Sequence, residues 1–385
     1  MSLAPDTEAG VADAVCAATG PLEIVAGGTR RIGRPVNAAD TLSLTNLTGI
    51  DLYEPGEQTL VVAAGTPLAE VEAALDSEGQ RLTFEPPDHR VLLGTTGEPT
   101  IGGAAATASA GPRRLASGGV RDAVLGARIV TGDGEAIRSG GRVMKNVTGY
   151  DLARLMCGAH GTLGVLTQLS LKVAPKAEVA TTMALRGLSD EAAVAAMAKA
   201  MGMPLDVSAA AHLPEAAAKA LGLDEATTLL RLEGFEAQAR YRAGRLAEAL
   251  AGWGEAAPLD DAPWAGIRDA APFAGDGRAV WRVSVKPSDG PRLAAAAREA
   301  LGAEAFYDWA GGLVWLACEA GDDAGAATIR GALDGGHATL IRAPEPLRAA
   351  IPVFEPEPDV LVRLGERLKA VFDPRGILNP GRMRG

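Results

Sequence analysis

Apolar positions along the first 175 residues alternate between strand and helix period. Leu22–Ala26 (LEIVA) is an apolar run of strand length that stops at Gly27 and Gly28, where the chain turns. Thr66 is a good N-cap and Pro67 suits the first helical position; Leu68, Val71 and Leu75 then fall on one helix face. Val124–Val130, the turn at Gly132, Asp133 and Gly134, and Glu135–Arg138 read as a hairpin. Val165, Thr167, Leu169, Leu171 and Val173 alternate with positions that include Gln168, Ser170 and Lys172. That alternation predicts a half-buried strand, closed by Pro175.

Beyond residue 175 the chain becomes Ala-rich with a strand–helix rhythm. Strands are expected near 180–185, 205–211, 227–232, 279–285, 313–318 and 337–342, with helices between most of them. This predicts an antiparallel sheet with helices on one face. A Pro/Glu-rich connector, 343–358, leads to a final helix over Leu361–Val371 and a turn-rich tail, DPRGILNPGRM.

Composition narrows the classes. A chain of 385 residues fits two domains. With 47% hydrophobic but only 4% aromatic residues, its cores are packed mainly by Ala, Val and Leu. The net charge of −11 repels nucleic-acid phosphate, and Arg30–Arg31 and Arg113–Arg114 are pairs rather than stripes, so no nucleic-acid partner is expected. Cys16, Cys157 and Cys318 form no C-x-x-C spacing, which gives no basis for a zinc or iron–sulfur site, and no metal is expected. Asp6, Glu8 and Asp13 do not suit a signal peptide, and no uncharged apolar run is long enough to span a bilayer. A cytoplasmic protein is expected, with any membrane association coming through a partner.

Three stretches carry chemistry. Ile24–Arg30 runs a strand into paired glycines, which lets backbone N–H groups point at one phosphate, although a Gly-Gly turn is commonly no more than a turn. Gly94–Gly111 is almost devoid of bulk. Such a stretch cannot form a conventional core element, but it permits close approach of backbone to a large flat ligand. In the third, Lys145 precedes a helix start at Tyr150–Asp151, and glycines at 158, 161 and 164 set backbone against something rigid.

These stretches, in this order and with the C-terminal Asn379-Pro380-Gly381, resemble the FAD-binding domain of the vanillyl-alcohol-oxidase/PCMH superfamily over residues 20–175 and the tail. The resemblance implies an α+β fold: a PCMH-type FAD-binding domain of two α+β subdomains (1–175), an antiparallel α+β cap (176–345), and a segment (346–385) that returns to the first domain. It also implies a set of cofactor contacts. Ala26, Gly27, Gly28, Thr29 and Arg30 would wrap the pyrophosphate. Ile101, Gly102, Gly103, Thr107, Ala108 and Gly111 would line the flavin. Gly161, Leu163, Gly164 and Val165 would run beside the dinucleotide, with Asn379 from the tail.

Relatives attach FAD through a histidine in the pyrophosphate loop or a cysteine near the second stretch. Here the loop reads GGTRRIG and 94–111 holds no cysteine, while His89 lies outside the loop; non-covalent FAD is expected. The 2-hydroxy-acid dehydrogenases of the superfamily carry a histidine/acid cluster in the second half. This chain has His89, His160, His212 and His337 and no H-x-G-D-x-N-x-H pattern. Its Trp264–Arg268, Val280–Val285 and Asp308–Trp315 segments, with RVMKNVTGYDLARL, are similar instead to the second FAD-binding subunit family of bacterial glycolate oxidase. That family implies a catalytic FAD subunit and an iron–sulfur subunit as partners and oxidation of glycolate (a small 2-hydroxy acid) to glyoxylate; such partners need a docking face, expected on the cap or around the connector, although no patch in the sequence singles it out. Arg282 shares a strand face with Val280 and Ser284 and is the candidate clamp for a substrate carboxylate, with a structural arginine as the competing reading. A stand-alone FAD oxidase or dehydrogenase of another hydroxy acid or alcohol, and a scaffold that kept the fold without redox function, stay open beside this reading, and within it the subunit's own flavin either meets glycolate or relays electrons.

Overall fold

The segment with the clearest alternation becomes the centre of a sheet. The computed structural model describes residues 2–143 and 149–384. The strands of its first half are β1 (Ser2–Leu3), β2 (Leu22–Val25), β3 (Asp40–Ser43), β4 (Ile50–Glu54), β5 (Thr59–Ala63), β6 (Gln80–Leu82), β7 (Val124–Val130), β8 (Ala136–Gly140) and β9 (Val165–Pro175). β9 pairs antiparallel with β5, β6 and β7 in a sheet of order β4-β5-β9-β7-β8, while β1, β3 and β2 form a small parallel sheet. Both faces of β9 are covered, so Thr167 and Ser170 are buried along with Leu169 and Leu171, rather than half the strand being wet. Leu169 and Leu171 pack with the helix Leu68–Asp76, while the Thr167 hydroxyl donates to Glu8 at 2.6 Å from the helix on the other side.

Two local expectations are corrected. Thr66 does not cap the helix Leu68–Asp76; its hydroxyl accepts the Gly49 N–H at 2.9 Å, and Pro67 occupies the cap position. Gly94–Gly111 does form a core element. The helix Ile101–Ala106 is capped by Thr100, which accepts from Gly103 N, and buries Ile101, Gly102, Ala104 and Ala105. Its smallness serves packing: a Cβ on Gly102 would lie 2.6 Å from the Ala64 carbonyl at the end of β5.

The second half is one sheet of antiparallel pairs built from β10 (Val179–Arg186), β11 (Val207–Leu213), β12 (Thr227–Gly234), β13 (Ala257–Pro258), β14 (Ala279–Ser284), β15 (Glu304–Asp308), β16 (Leu313–Cys318) and β17 (His337–Arg342). Its order is β13-β10-β12-β11-β15-β16-β14-β17. β13 and β15 are additional to the expected strands, and β15 is central. Its polar ends hide the strand in the sequence, but its middle is decisive: Phe306 packs toward the first half and Tyr307 toward the helices. Helices Asp190–Met201, Glu236–Leu250 and Gly290–Leu301 cover one face with Met197, Leu246 and Leu293. The opposite face sets Val280, Phe306 and Trp315 in one cluster with Ile32, Leu92 and Ala110.

After the connector, the helix Asp359–Phe372 packs Phe372 and Leu368 against the first-half core and exposes Val360, Leu361, Leu364 and Val371. The tail then runs beside β2, with Leu22 N donating to Ile377 O at 2.8 Å and Asn379 N to Leu22 O at 3.1 Å.

Candidate functional site

Where β2 ends, the chain turns through Ala26, Gly27 and Gly28 against the loop at Gly97. The two glycine pairs here are glycine for different reasons. A Cβ on Gly27 would sit 1.6 Å from the Glu98 carbonyl oxygen, and one on Gly97 would sit 1.7 Å from Gly27 O, so the two backbones touch directly. Gly28 has φ +69°, and a Cβ there would meet only Val25 Cγ1 at 3.9 Å; Gly103 similarly meets only the Thr100 hydroxyl, at 3.1 Å. Gly27 and Gly97 therefore hold the turn, and Gly28 and Gly103 leave its open side free of side chains.

That open side is a cleft walled by three separate stretches of the first half and the tail. Ala26, Gly27, Gly28, Thr29 and Arg30 form one wall. Gly102, Gly103 and Thr107 form a second, and Gly161, Gly164 and Val165 a third, closed by Asn379. Four residues of the expected set lie elsewhere. Ile101 is fully buried in the core, and Ala108, Gly111 and Leu163 are off the cleft wall. Gly111 faces the cap, its carbonyl accepting from Trp309 Nε1 at 3.0 Å. Lys145 lies outside the described residues. Tyr150 and Asp151 do start a helix: Asp151 caps Leu152–Met156 by accepting from Arg154 N at 3.0 Å.

Asn379 ties the walls together. Its Oδ1 accepts from Ile24 N and its Nδ2 donates to His160 O, each at 2.8 Å. Sequence reasoning missed His160 and Arg382, which both line the cleft. The Ala159-His160-Gly161 turn was the available signal, since His160 itself adopts φ 50° before Gly161 at +69°. The His160 ring meets Phe354 edge-on at 5.0 Å, and burial with the nearby Arg382 charge pushes its pKa down to about 4. Arg382 is anchored by Glu23 at 2.9 Å.

The cap contributes separate side chains. Arg282 stands directly across from Trp315 in the β14·β16 pair, on the face turned to the first half. Its guanidinium lies over the Trp309 ring at 4.9 Å, and Arg114 approaches the same ring at 4.9 Å. Burial and the Arg114 charge lower the Arg282 pKa to about 10, which leaves it charged at neutral pH. Buried Asp308 accepts the Trp309 N–H at 2.7 Å, and burial raises its pKa to about 7.

A cleft with glycine faces kept open on two walls, between a strand turn and a small-residue helix, fits a dinucleotide, and the first half is that of a PCMH-type FAD-binding flavoprotein. The FAD binding domain family model matches residues 1–140. The structure of alkyldihydroxyacetonephosphate synthase superposes with a TM-score of 0.72 over 98% of this chain and 75% of that one; at 16% identity this likeness shows the fold alone. The glycolate oxidase subunit GlcE of Escherichia coli (strain K12) is 38% identical over 353 residues, 91% of this chain and 89% of GlcE. The chain belongs to that family of FAD-binding glycolate oxidase subunits, and it is an FAD-dependent oxidoreductase. The glycolate oxidase subunit GlcD of Bacillus subtilis (strain 168) is 35% identical over 169 residues, which is 44% of this chain but 32% of GlcD. No helix among the described residues is long and apolar enough to cross a membrane.

Proposed function

We propose that this chain is the FAD-binding subunit of a multi-subunit glycolate oxidase that converts glycolate to glyoxylate, working with a catalytic flavoprotein and an iron–sulfur subunit. The observation that carries the reading is the extent of the likeness to GlcE. It spans 91% of the chain and so includes the cap, whereas the likeness to GlcD spans 44%. One fold hosts many activities, so a likeness that extends over the second half says more about function than one confined to the cofactor cleft.

In this reading residues 1–175 and 346–385 hold the cofactor and 176–345 cover it. The turn Ala26–Arg30 takes the pyrophosphate through backbone N–H groups, with Gly28 and Gly103 leaving room for it. Gly161, Gly164, Val165 and Asn379 form the wall beside the dinucleotide, and His160 and Arg382 join them. FAD held there would supply an acceptor for the hydrogen of the alcohol carbon and its electron pair. Arg282 supplies positive charge for the substrate carboxylate from the cap side. FAD is held without a covalent bond: the turn has no histidine, no cysteine lines the cleft among the described residues, and the one cleft histidine, His160, is packed edge-on against Phe354. Acid precipitation should release the flavin to the supernatant, whereas flavin retained as a flavopeptide after proteolysis would reject this point.

Reconstitution tests the function. Glycolate oxidation is measured with this chain alone, with each partner subunit and with both. Turnover that needs the partners supports the reading. Full turnover by the isolated chain would replace it with a stand-alone dehydrogenase, and a purified chain without flavin absorbance would point to a scaffold.

A further inference from the structure

Among the described residues, His89 is the one histidine whose two ring nitrogens are both buried without a hydrogen-bond partner. It is 6% exposed. A neutral imidazole carries one donor and one acceptor, and each polar group left unpaired in the interior costs roughly 1–3 kcal/mol. Folds leave few such groups, and each one kept has a reason, such as a catalytic role or a bound water or ion.

The surroundings indicate what kind of ligand. His89 belongs to the segment of the first half that packs on the cap through Leu92. Its ring meets Trp315 edge-on at 6.1 Å, and Trp315 is the direct cross-strand partner of Arg282, so both side chains leave the same face of the sheet. Arg282 forms no ion pair among the described residues; a second cation, Arg114, shares its tryptophan. From the cleft side Arg30 donates to Ser109 Oγ and to the carbonyl of Pro87, two residues before His89, and its Nε is buried without a partner. The charged groups that act on His89 are Arg30, Arg282, Asp88 and Arg268. Of these, Asp88 is taken by Arg90 at 2.7 Å and Arg268 by Asp269 at 2.7 Å. Arg30 and Arg282 form no ion pair among the described residues, although Asp308 acts on Arg282 and Asp88 and Asp269 act on Arg30 from a distance, and an unpartnered imidazole lies near both. The missing element is a small anion that also carries a hydrogen-bonding group.

We propose that His89 and Arg282 together bind the 2-hydroxy acid at the junction of the two halves, Arg282 taking the carboxylate and His89 accepting the hydroxyl hydrogen bond. This rests on the reading of the chain as an oxidoreductase of small 2-hydroxy acids, and it places the hydroxyl's partner in the first half, where the histidine/acid cluster of the related dehydrogenases is not found. As the alcohol is oxidised, its O–H bond breaks and the proton passes to the free His89 nitrogen. The C–H hydrogen leaves with its electron pair to the bound FAD, and the oxygen's freed pair closes the carbonyl. Burial and the charges of Arg30 and Arg282 hold the His89 pKa down at about 3. The imidazole is therefore neutral and available as an acceptor, and the anionic carboxylate, once against Arg282, raises its basicity.

The test uses the FAD-loaded chain with ¹⁵N-histidine and oxalate as an unreactive anion. Saturating oxalate is expected to shift both His89 nitrogen resonances and to raise its pKa. Arg282→Gln is expected to weaken oxalate binding roughly ten- to a hundredfold by calorimetry. In the reconstituted complex, His89→Phe keeps the packing on Trp315, and is expected to slow anaerobic flavin reduction at least tenfold while oxalate affinity stays within threefold. Resonances that respond to removal of FAD but not to oxalate would overturn the proposal, because the imidazole then serves the cofactor. Wild-type flavin reduction in His89→Phe would overturn it too. If that variant does not fold, the wild-type titration and Arg282→Gln decide. Oxalate shifts at His89 in a complex that does not turn over glycolate reject glycolate as substrate and leave the anion site standing.

Discussion

The cofactor half and the cap build their parts of the molecule by opposite means. The cleft of the first half is made of backbone: short stretches at 24–32, 100–107 and 160–165, with glycines where a side chain would strike the protein or stand in the cleft. The cap presents isolated side chains, Arg282, Trp309 and Trp315, brought side by side by strand register from positions far apart in the chain. A backbone cradle tolerates little variation at fixed positions. A side-chain site is set by which residue happens to face inward, and it can be changed without disturbing the sheet.

The sharpest way to break this contrast is at the glycines. Gly27→Ala puts a Cβ into the Glu98 carbonyl and should cost roughly 3 kcal/mol or more of stability, with or without flavin. Gly28→Arg should abolish FAD binding, while the flavin-free protein loses only ~1–2 kcal/mol from its left-handed backbone. Thermal melting with flavin absorbance separates the two. Equal behaviour of both variants would end the distinction between packing and ligand-facing glycines.

The halves should also respond oppositely to pH. In the cap, burial raises Asp308 to about 7 from an ordinary 3.8, so between those values the folded state holds a proton that the unfolded state has lost. Stability from this group is full below pH 3.8 and falls as pH rises toward 7, by roughly 3 kcal/mol at pH 6. Asp308→Asn should flatten that fall in denaturant titrations.

Arg282→Ala should leave flavin occupancy intact and raise the glycolate concentration for half-maximal flavin reduction roughly ten- to a hundredfold, about 1.5–3 kcal/mol. Unchanged kinetics in the reconstituted complex would return Arg282 to a structural role.

The smallest effect concerns His160 on the cofactor side. Its pKa is depressed from 6.5 to about 4, so its contribution is present above pH 6.5 and is lost as pH falls through 4. At pH 5 the penalty is about 2 kcal/mol, and His160→Gln should remove it, which moves acid unfolding of the flavin-free protein to lower pH.

Legibility follows the same division. That Ala26–Arg30, Gly102–Gly103, Gly161, Gly164 and Val165 share one cleft was legible because a cleft lined by backbone needs small residues at closely spaced positions, and that need is written locally. Even there, the reason for a given glycine was hidden: Gly102 is small because of Ala64, and Gly27 because of Glu98. Ile101 was grouped with the flavin-lining residues but points into the core, since a helix of six residues turns part of its face away from the cleft. β15 was invisible because five residues with polar ends show no clear period, although its neighbours β11 and β16 leave it a central place.

By itself the sequence determined the α+β class, many of the individual strands and helices and the glycine-rich stretches that suit a dinucleotide, because hydrophobic period and glycine placement act over a few residues. Only the tertiary structure decided that Asn379 would bridge β2 to the His160 turn, and that His89 and Arg282, 193 positions apart in the numbering, would face one junction. The reason is that strand register and sheet packing depend on many distant contacts at once. A histidine's chemistry depends on what surrounds it, and no local pattern records that surrounding.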